Sequence, residues 1–227
     1  MNGTDFITVN ARGPTKTASI RLPRGDHIAK QIAARGDYYE RDLLDAIRGH
    51  GLVGVYADIG AHCGNHAAFF ALECPSTTVF AIEPHRPSFE ALCETVRALP
   101  VTTARAYWGA VHDTWRSGRS VAGPRGNTGM AKVEDAGDDG EVFVWKLDRL
   151  VEAHPGRLAV VKIDVEGAEM AVLRSGRASL AEHRPLVAVE CQTDEARDEV
   201  TAWLAELGYV RDPRTYCRTP TYIFVGS

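Results

Sequence analysis

The segment Val55-Tyr56-Ala57-Asp58-Ile59-Gly60-Ala61-His62-Cys63-Gly64-Asn65-His66, followed by Val79-Phe80-Ala81-Ile82-Glu83-Pro84, constrains the fold more than any other part of the chain. An apolar, β-branched run ends in an acid, and a glycine-containing turn then opens a helical pattern. A second apolar run ends in another acid 25 positions after the first. This is the layout of a βαβ unit that binds a nucleoside at the carboxyl ends of its strands.

Gly60 and Gly64 stand where the backbone turns sharply out of a buried strand and is expected to approach a ligand, which glycine does without steric cost. The helix opening near Asn65 directs unpaired N–H groups at whatever lies above the turn. Glu83 ends the next strand, where its carboxylate can accept hydrogen bonds from both ribose hydroxyls. The first expectation is therefore a ribose-bearing cofactor. A dinucleotide fold calls for G-x-G-x-x-G, but here Asp58 takes the first glycine position, and an acid there repels a pyrophosphate. It suits a ligand with an ammonium and a sulfonium group, as S-adenosylmethionine has. A glycine turn with no ligand is the plainer alternative, and the spacing of Glu83-Pro84 weighs against it.

A chain of 227 residues fits one domain that buries about 70–75% of its unfolded surface. The formal charge is −4, with no dense cluster of Lys and Arg, so neither nucleic acid nor an anionic membrane is the expected partner. No apolar run reaches the roughly 18 residues of a membrane helix and the first residues are polar, from which a soluble, cytoplasmic protein is expected. The five cysteines show no metal-ligand spacing and are odd in number, which predicts reduced thiols rather than a disulfide framework.

Residues 6–22 alternate around Gly13-Pro14 as a hairpin, and residues 27–48 carry a helical pattern broken at Gly36. Residues 1–50 are thus expected to form a hairpin and helical cap, and residues 51–227 one compact unit. In that unit strands are predicted near 53–58, 78–83, 102–107, 158–164 and 186–190, with helices near 65–74, 87–98, 167–175 and 194–207. Runs such as Leu158-Ala159-Val160-Val161 and Leu186-Val187-Ala188-Val189 imply strands buried on both faces, hence an α/β fold with a mostly parallel sheet. Tyr222-Ile223-Phe224-Val225 reads as a final strand beside the fifth. Residues 116–140 are glycine-rich, show no clear period and read as a long functional loop, after which residues 141–145 alternate as a short strand.

Ligands of such a sheet bind outside the carboxyl ends of the strands. Those ends are Asp58, Glu83, Trp108-Gly109-Ala110, Asp164-Val165-Glu166 and Glu190, so four of the five carry carboxylates. Crowded, partly buried carboxylates cost free energy unless something compensates them. Asp164 is placed to orient a substrate hydroxyl, contact the cofactor's amino group or act as a base. It could equally cap the helix predicted from Gly167. Glu190 with Asp164 would suit a hard cation such as magnesium, but with no third ligand identified a divalent metal is not favoured. On the cap and the long loop, His27, Tyr39 and Asn127 are candidates for a lid, and His27 for a general base.

The segments Asp58-Ile59-Gly60-Ala61-His62-Cys63-Gly64-Asn65-His66, Ile82-Glu83-Pro84, Lys146-Leu147-Asp148-Arg149-Leu150, Lys162-Ile163-Asp164-Val165-Glu166-Gly167-Ala168-Glu169 and Arg184-Pro185 resemble the FkbM-type methyltransferases. The resemblance covers roughly residues 50–225. It implies a class I S-adenosylmethionine fold, Rossmann-like, with seven strands of which the last is antiparallel, and methyl transfer to a hydroxyl oxygen of a sugar or natural product. Carried over, Asp58, Gly60 and Gly64, with Ala61, Cys63 and Asn65 between and beside them, would hold the methionine part of the cofactor. Glu83 and Pro84 would take the ribose, with Trp108 and Gly109 near the adenine. Asn127-Thr128-Gly129 looks like the family's Asn-x-Gly loop. The chain departs from the commoner pattern at His62-Cys63 and Trp108, which bears on the shape of the adenine pocket.

Two other classes stay open at this stage. A nicotinamide-dependent oxidoreductase would share the sheet but lacks its G-x-G-x-x-G and a Tyr-x-x-x-Lys pair. A cofactor-binding module without an acceptor site has no feature against it except the acidic rim. The acceptor and the oligomeric state are not specified by the sequence.

Overall fold

A computed structural model describes residues 6–121, 123 and 131–226. The chain opens with an antiparallel hairpin of β1 (Phe6–Arg12) and β2 (Thr17–Pro23), with Phe6 opposite Pro23. Helix α1 (His27–Arg35) starts where the Asp26 side chain accepts from the Ile28 and Ala29 amides, and stops at Gly36 with φ 65°. Helix α2 (Arg41–Gly49) follows and buries Leu43, Leu44 and Ile47.

Strand and helix then alternate: β3 (Gly54–Ile59), α3 (Asn65–Glu73), β4 (Ser76–Glu83), α4 (Arg86–Ala98) and β5 (Ala104–Trp108). After an excursion come α5 (Leu147–Glu152), β10 (Leu158–Ile163), α6 (Glu169–Ser175), α7 (Arg177–His183), β11 (Leu186–Glu190), α8 (Asp194–Glu206), β12 (Tyr209–Arg211) and β13 (Thr221–Gly226). The excursion holds β6 (Ala110–Val111), β7 (Ser117–Val121), β8 (Lys132–Gly137) and β9 (Val142–Trp145).

The seven-stranded sheet runs β12-β13-β11-β10-β3-β4-β5. Pairings from β11 to β5 are parallel, and β13 is antiparallel to both of its neighbours, as expected for the last strand. Every residue of β3, β10 and β11 is buried. Their side chains alternate between two apolar layers. Tyr56, Val160 and Ala188 pack with α2, α3, α4 and the N-terminal hairpin, whereas Val55, Ala57, Val161 and Val187 pack with α5, α6, α7 and α8. Helices thus cover both faces, and each fully buried Val, Leu or Ile contributes about 1.5–3 kcal/mol. No helix among the described residues is long and apolar enough to cross a membrane.

Two expectations are corrected, and one short strand went unread in the sequence. Residues 116–140 are not one irregular loop: β7 pairs antiparallel with both β8 and β9 in a small sheet of order β6-β9-β7-β8. Most residues of β7 and β8 are half-exposed or exposed, so no apolar alternation marks them in the sequence. The helix predicted from 167 begins at Glu169, and α7 follows it at once across Gly176. A Cβ on Gly176 would lie 2.5 Å from Leu147 Cδ2, so close packing against α5 places a glycine there. Strand β12 is only three residues long, too short to show a period.

Candidate active site

The carboxyl ends of β3, β4, β10 and β11 converge on one rim. Its centre is Lys162, on the penultimate position of β10 and in register with Asp58 on β3. The Lys162 Nζ donates to Gly60 O at 2.9 Å and lies 3.3 Å from both Asp58 Oδ1 and Asp164 Oδ2. Burial disfavours the lysine's charge, but the Asp58 and Asp164 carboxylates outweigh it and hold the ammonium well above its ordinary pKa. Asp58 is fully buried and sits behind the site, as the counter-ion of this lysine. Lys162 was not singled out as a site residue in the sequence. The signal was present: a lysine inside a buried apolar strand needs a charged partner, and it lies two residues from Asp164, on the same face.

The turn after β3 is fixed by the protein's own atoms. Gly60 has φ 79°, and a Cβ there would lie 1.7 Å from Asp164 O, so the close approach that requires glycine is to the end of β10. Gly64 has φ 85° and begins α3, with the Leu92 side chain beside it. The amides of Gly60 and Ala61 both donate to Ile82 O, at 3.0 and 2.9 Å. His62 adopts a left-handed conformation, φ 49°, and its amide donates to Glu83 Oε2 at 2.8 Å. The His85 amide donates to Glu83 Oε1 at 2.8 Å. Burial pushes the Glu83 carboxyl up to about 7 although these two amides oppose it. Each oxygen keeps a lone pair for a further donor.

A cavity opens above this turn. Its wall includes Gly60, Glu83, Pro84, Gly109, Asp164 and Glu166, with Ile59, Ile82 and Val111 as the apolar part. It thus gathers Gly60, Glu83, Pro84, Gly109 and Asp164 from the residues proposed by sequence. Others serve around it. Cys63 is buried in the core, and Asn65 clamps the cap by accepting from Tyr39 N at 3.1 Å and donating to Tyr39 O at 3.0 Å. Trp108 Nε1 donates to Pro84 O at 3.0 Å, and the Arg86 guanidinium lies 4.9 Å from its ring centre. A Cβ on Gly109 would meet Phe143 O at 2.6 Å, so that glycine also lets β9 approach. His27 is exposed, beside Gln31, outside the cavity wall. Asn127 lies outside the described residues.

Beside Asp164 stand two more carboxylates. One oxygen each of Asp164, Glu166 and Glu190 lies within 4.8 Å of the others. Asp164 does not cap α6; Glu169 Oε1 takes the Gly167 amide instead. Burial pulls the Asp164 carboxyl upward, but Lys162 and a hydrogen bond from Glu190 outweigh it and hold Asp164 ionised. Burial, and then the Asp164 charge, push Glu190 up to about 9. A second cavity is lined by Tyr39, Glu40, Arg41, Tyr216 and Cys217 among others. Glu40 Oε2 lies 3.2 Å from His66 Nε2 on α3.

The sheet is similar to those of known methyltransferases. A crystal structure of methyltransferase FkbM from Methylobacillus flagellatus aligns with a TM-score of 0.57 at 17% identity, over 76% of this chain and 43% of that one. This chain therefore spans less than half of that protein's length. A precorrin-6y C5,15-methyltransferase from Geobacter metallireducens aligns at 0.50 and 11% identity, over 81% of this chain and 85% of that one. A precorrin-8w decarboxylase from Methanobacterium thermoautotrophicum aligns at 0.51 and 14% identity, over 82% and 89%. At such identities the likeness establishes the class I methyltransferase fold alone. No curated protein matches the chain. Residues 58–211, from the buried acid of β3 to the end of β12, match the model of the methyltransferase FkbM domain, and the chain belongs to that family.

Proposed function

We propose that the protein transfers a methyl group from S-adenosylmethionine to a hydroxyl oxygen of a small molecule such as a sugar or natural product. The observation that carries this reading is Glu83: a buried carboxylate at the cavity wall, held by two backbone amides and retaining one lone pair on each oxygen. Vicinal ribose hydroxyls supply two donors at that spacing. The methionine part would lie over Gly60, where the Lys162–Asp164 pair fixes the end of β10 and Asp164 faces the cofactor's ammonium. Asp58 acts there through Lys162, not by contact.

Methyl transfer is an in-line displacement. The acceptor oxygen attacks the methyl carbon, the methyl–sulfur bond breaks with its electron pair left on sulfur, and the hydroxyl proton passes to a base. Holding oxygen and methyl in line supplies up to about 7–11 kcal/mol. The acceptor is proposed to enter through the second cavity, and the ionised rim carboxylate, Asp164, to take the proton. His27, outside the cavity wall, is not favoured for that task.

Calorimetric titration with S-adenosylhomocysteine, and in parallel NADH, on the wild type and Glu83→Ala tests the reading. S-Adenosylhomocysteine should bind the wild type and lose about tenfold or more of its affinity in the variant, as expected for hydrogen bonds to a charged acceptor. Binding of NADH alone, or of neither, would overturn it.

A further inference from the structure

Asp164 and Glu166 follow β10, and Glu190 ends its neighbour β11. Three carboxylates brought within 4.8 Å repel one another in a partly buried setting. Two of them have partners outside the group: Asp164 faces Lys162, and Glu166 accepts from the Gln192 side-chain amide. Glu190 differs. It is 8% exposed, and its Oε2 is buried with no hydrogen-bond partner among the described residues. A buried acceptor without a donor costs about 1–3 kcal/mol, and more when charged. The arrangement therefore lacks a positive partner at Glu190.

The donor set is oxygen only, which suits hard divalent cations. Ligands on opposite sides of a calcium ion, each at about 2.3–2.6 Å, stand about 5 Å apart. The spread seen here is that of ligands around one ion. Opposite ligands of magnesium, with bonds of about 2.0–2.1 Å, stand about 4 Å apart, which also falls within that spread. We infer that Asp164, Glu166 and Glu190 form a divalent-cation site on the acceptor side of the cavity. What the ion does there rests on the methyl-transfer reading. When bound, the ion would hold the acceptor hydroxyl oxygen in line with the methyl group and favour loss of the hydroxyl proton to solvent. The balance is unchanged: one O–CH3 bond forms, one methyl–sulfur bond breaks, and one proton is released.

The test is titration with Mn2+, followed by the electron paramagnetic resonance signal of the free ion, on the wild type, Glu190→Gln and Glu166→Gln. S-Adenosylhomocysteine binding is measured on each sample. One Mn2+ should bind per wild-type chain, be displaced by excess Mg2+ or Ca2+, and bind about tenfold or more weakly in each variant. S-Adenosylhomocysteine binding should persist in Glu190→Gln, whose side chain does not line the cavity, and a cooperative thermal unfolding transition reports that each variant is folded. If Glu190→Gln does not fold, Glu166→Gln carries the comparison. A wild type that binds the cofactor product but no Mn2+, or binds Mn2+ as tightly as both variants do, overturns the cation site; a proton shared by Asp164 and Glu190 would then explain the group. Mn2+ binding without S-adenosylhomocysteine binding would overturn the cofactor reading and leave the cation site standing.

Discussion

The two sides of the rim are built from the same residue type and satisfied differently. On the β3–β4 side, Glu83 is held by the His62 and His85 amides, and Asp58, whose oxygens lack a hydrogen-bond partner among the described residues, has the Lys162 ammonium as counter-charge at 3.3 Å. On the β10–β11 side, Asp164, Glu166 and Glu190 crowd together, and Glu190 Oε2 has no donor among the described residues. Carboxylates that the chain itself satisfies can wait in place for a ligand, whereas carboxylates left in mutual repulsion store a demand for a cation or a proton. The first side is prearranged and the second is completed by what binds.

The sharpest way to break the first side is to remove its lysine. Lys162→Met leaves Asp58 buried with no counter-charge, and the expected loss is about 3–5 kcal/mol of stability, measured by urea unfolding. A loss below about 1 kcal/mol would mean that Asp58 is protonated or hydrated instead. Next in size is a contrast between glycines with similar φ. Gly60→Ala forces a methyl against the Asp164 carbonyl, whereas Gly64→Ala meets the end of the Leu92 side chain, which can rotate away. Both carry left-handed strain, so Gly60→Ala should be the more destabilising by roughly 1–3 kcal/mol. Equal effects would show that the turn relaxes freely. Asn65→Ala removes both hydrogen bonds to the Tyr39 backbone and should cost about 1–3 kcal/mol while loosening the cap, seen as faster amide exchange at Tyr39.

The smallest expected effect is in pH. Glu83 sits at about 7 without ligand, and the ribose needs its ionised form. Binding therefore draws the carboxyl down toward the usual range, and affinity falls as pH drops below 7 and levels off above it. Between pH 6 and 8 the affinity for S-adenosylhomocysteine should rise about tenfold, and Glu83→Gln should flatten that rise. A profile unchanged by the substitution would assign the titration to another group.

Much of the sheet was legible because its signal is strong. β3, β10 and β11 are buried on both faces and so appear as unbroken apolar runs, and Glu83 stands at a readable distance after Asp58. β7 and β8 were illegible because their side chains face solvent, and α7 and β12 because seven and three residues carry no period. In the site, Asp58 was read as holding the methionine part of the cofactor, but the register sets it opposite Lys162, a cross-strand relation that no spacing along the chain reveals. Glu166 was legible as an acid near a strand end. Only the parallel pairing of β10 with β11 makes it the third member of a group with Glu190.

The most direct test of the account is a crystal structure with S-adenosylhomocysteine bound. The predicted result has the two ribose hydroxyls at about 2.6–3.2 Å from the two Glu83 oxygens, the His62 and His85 amides still on that carboxylate, and the ammonium group facing Asp164 across Gly60. A ligand seated elsewhere, or one whose ribose leaves Glu83 untouched, would contradict it.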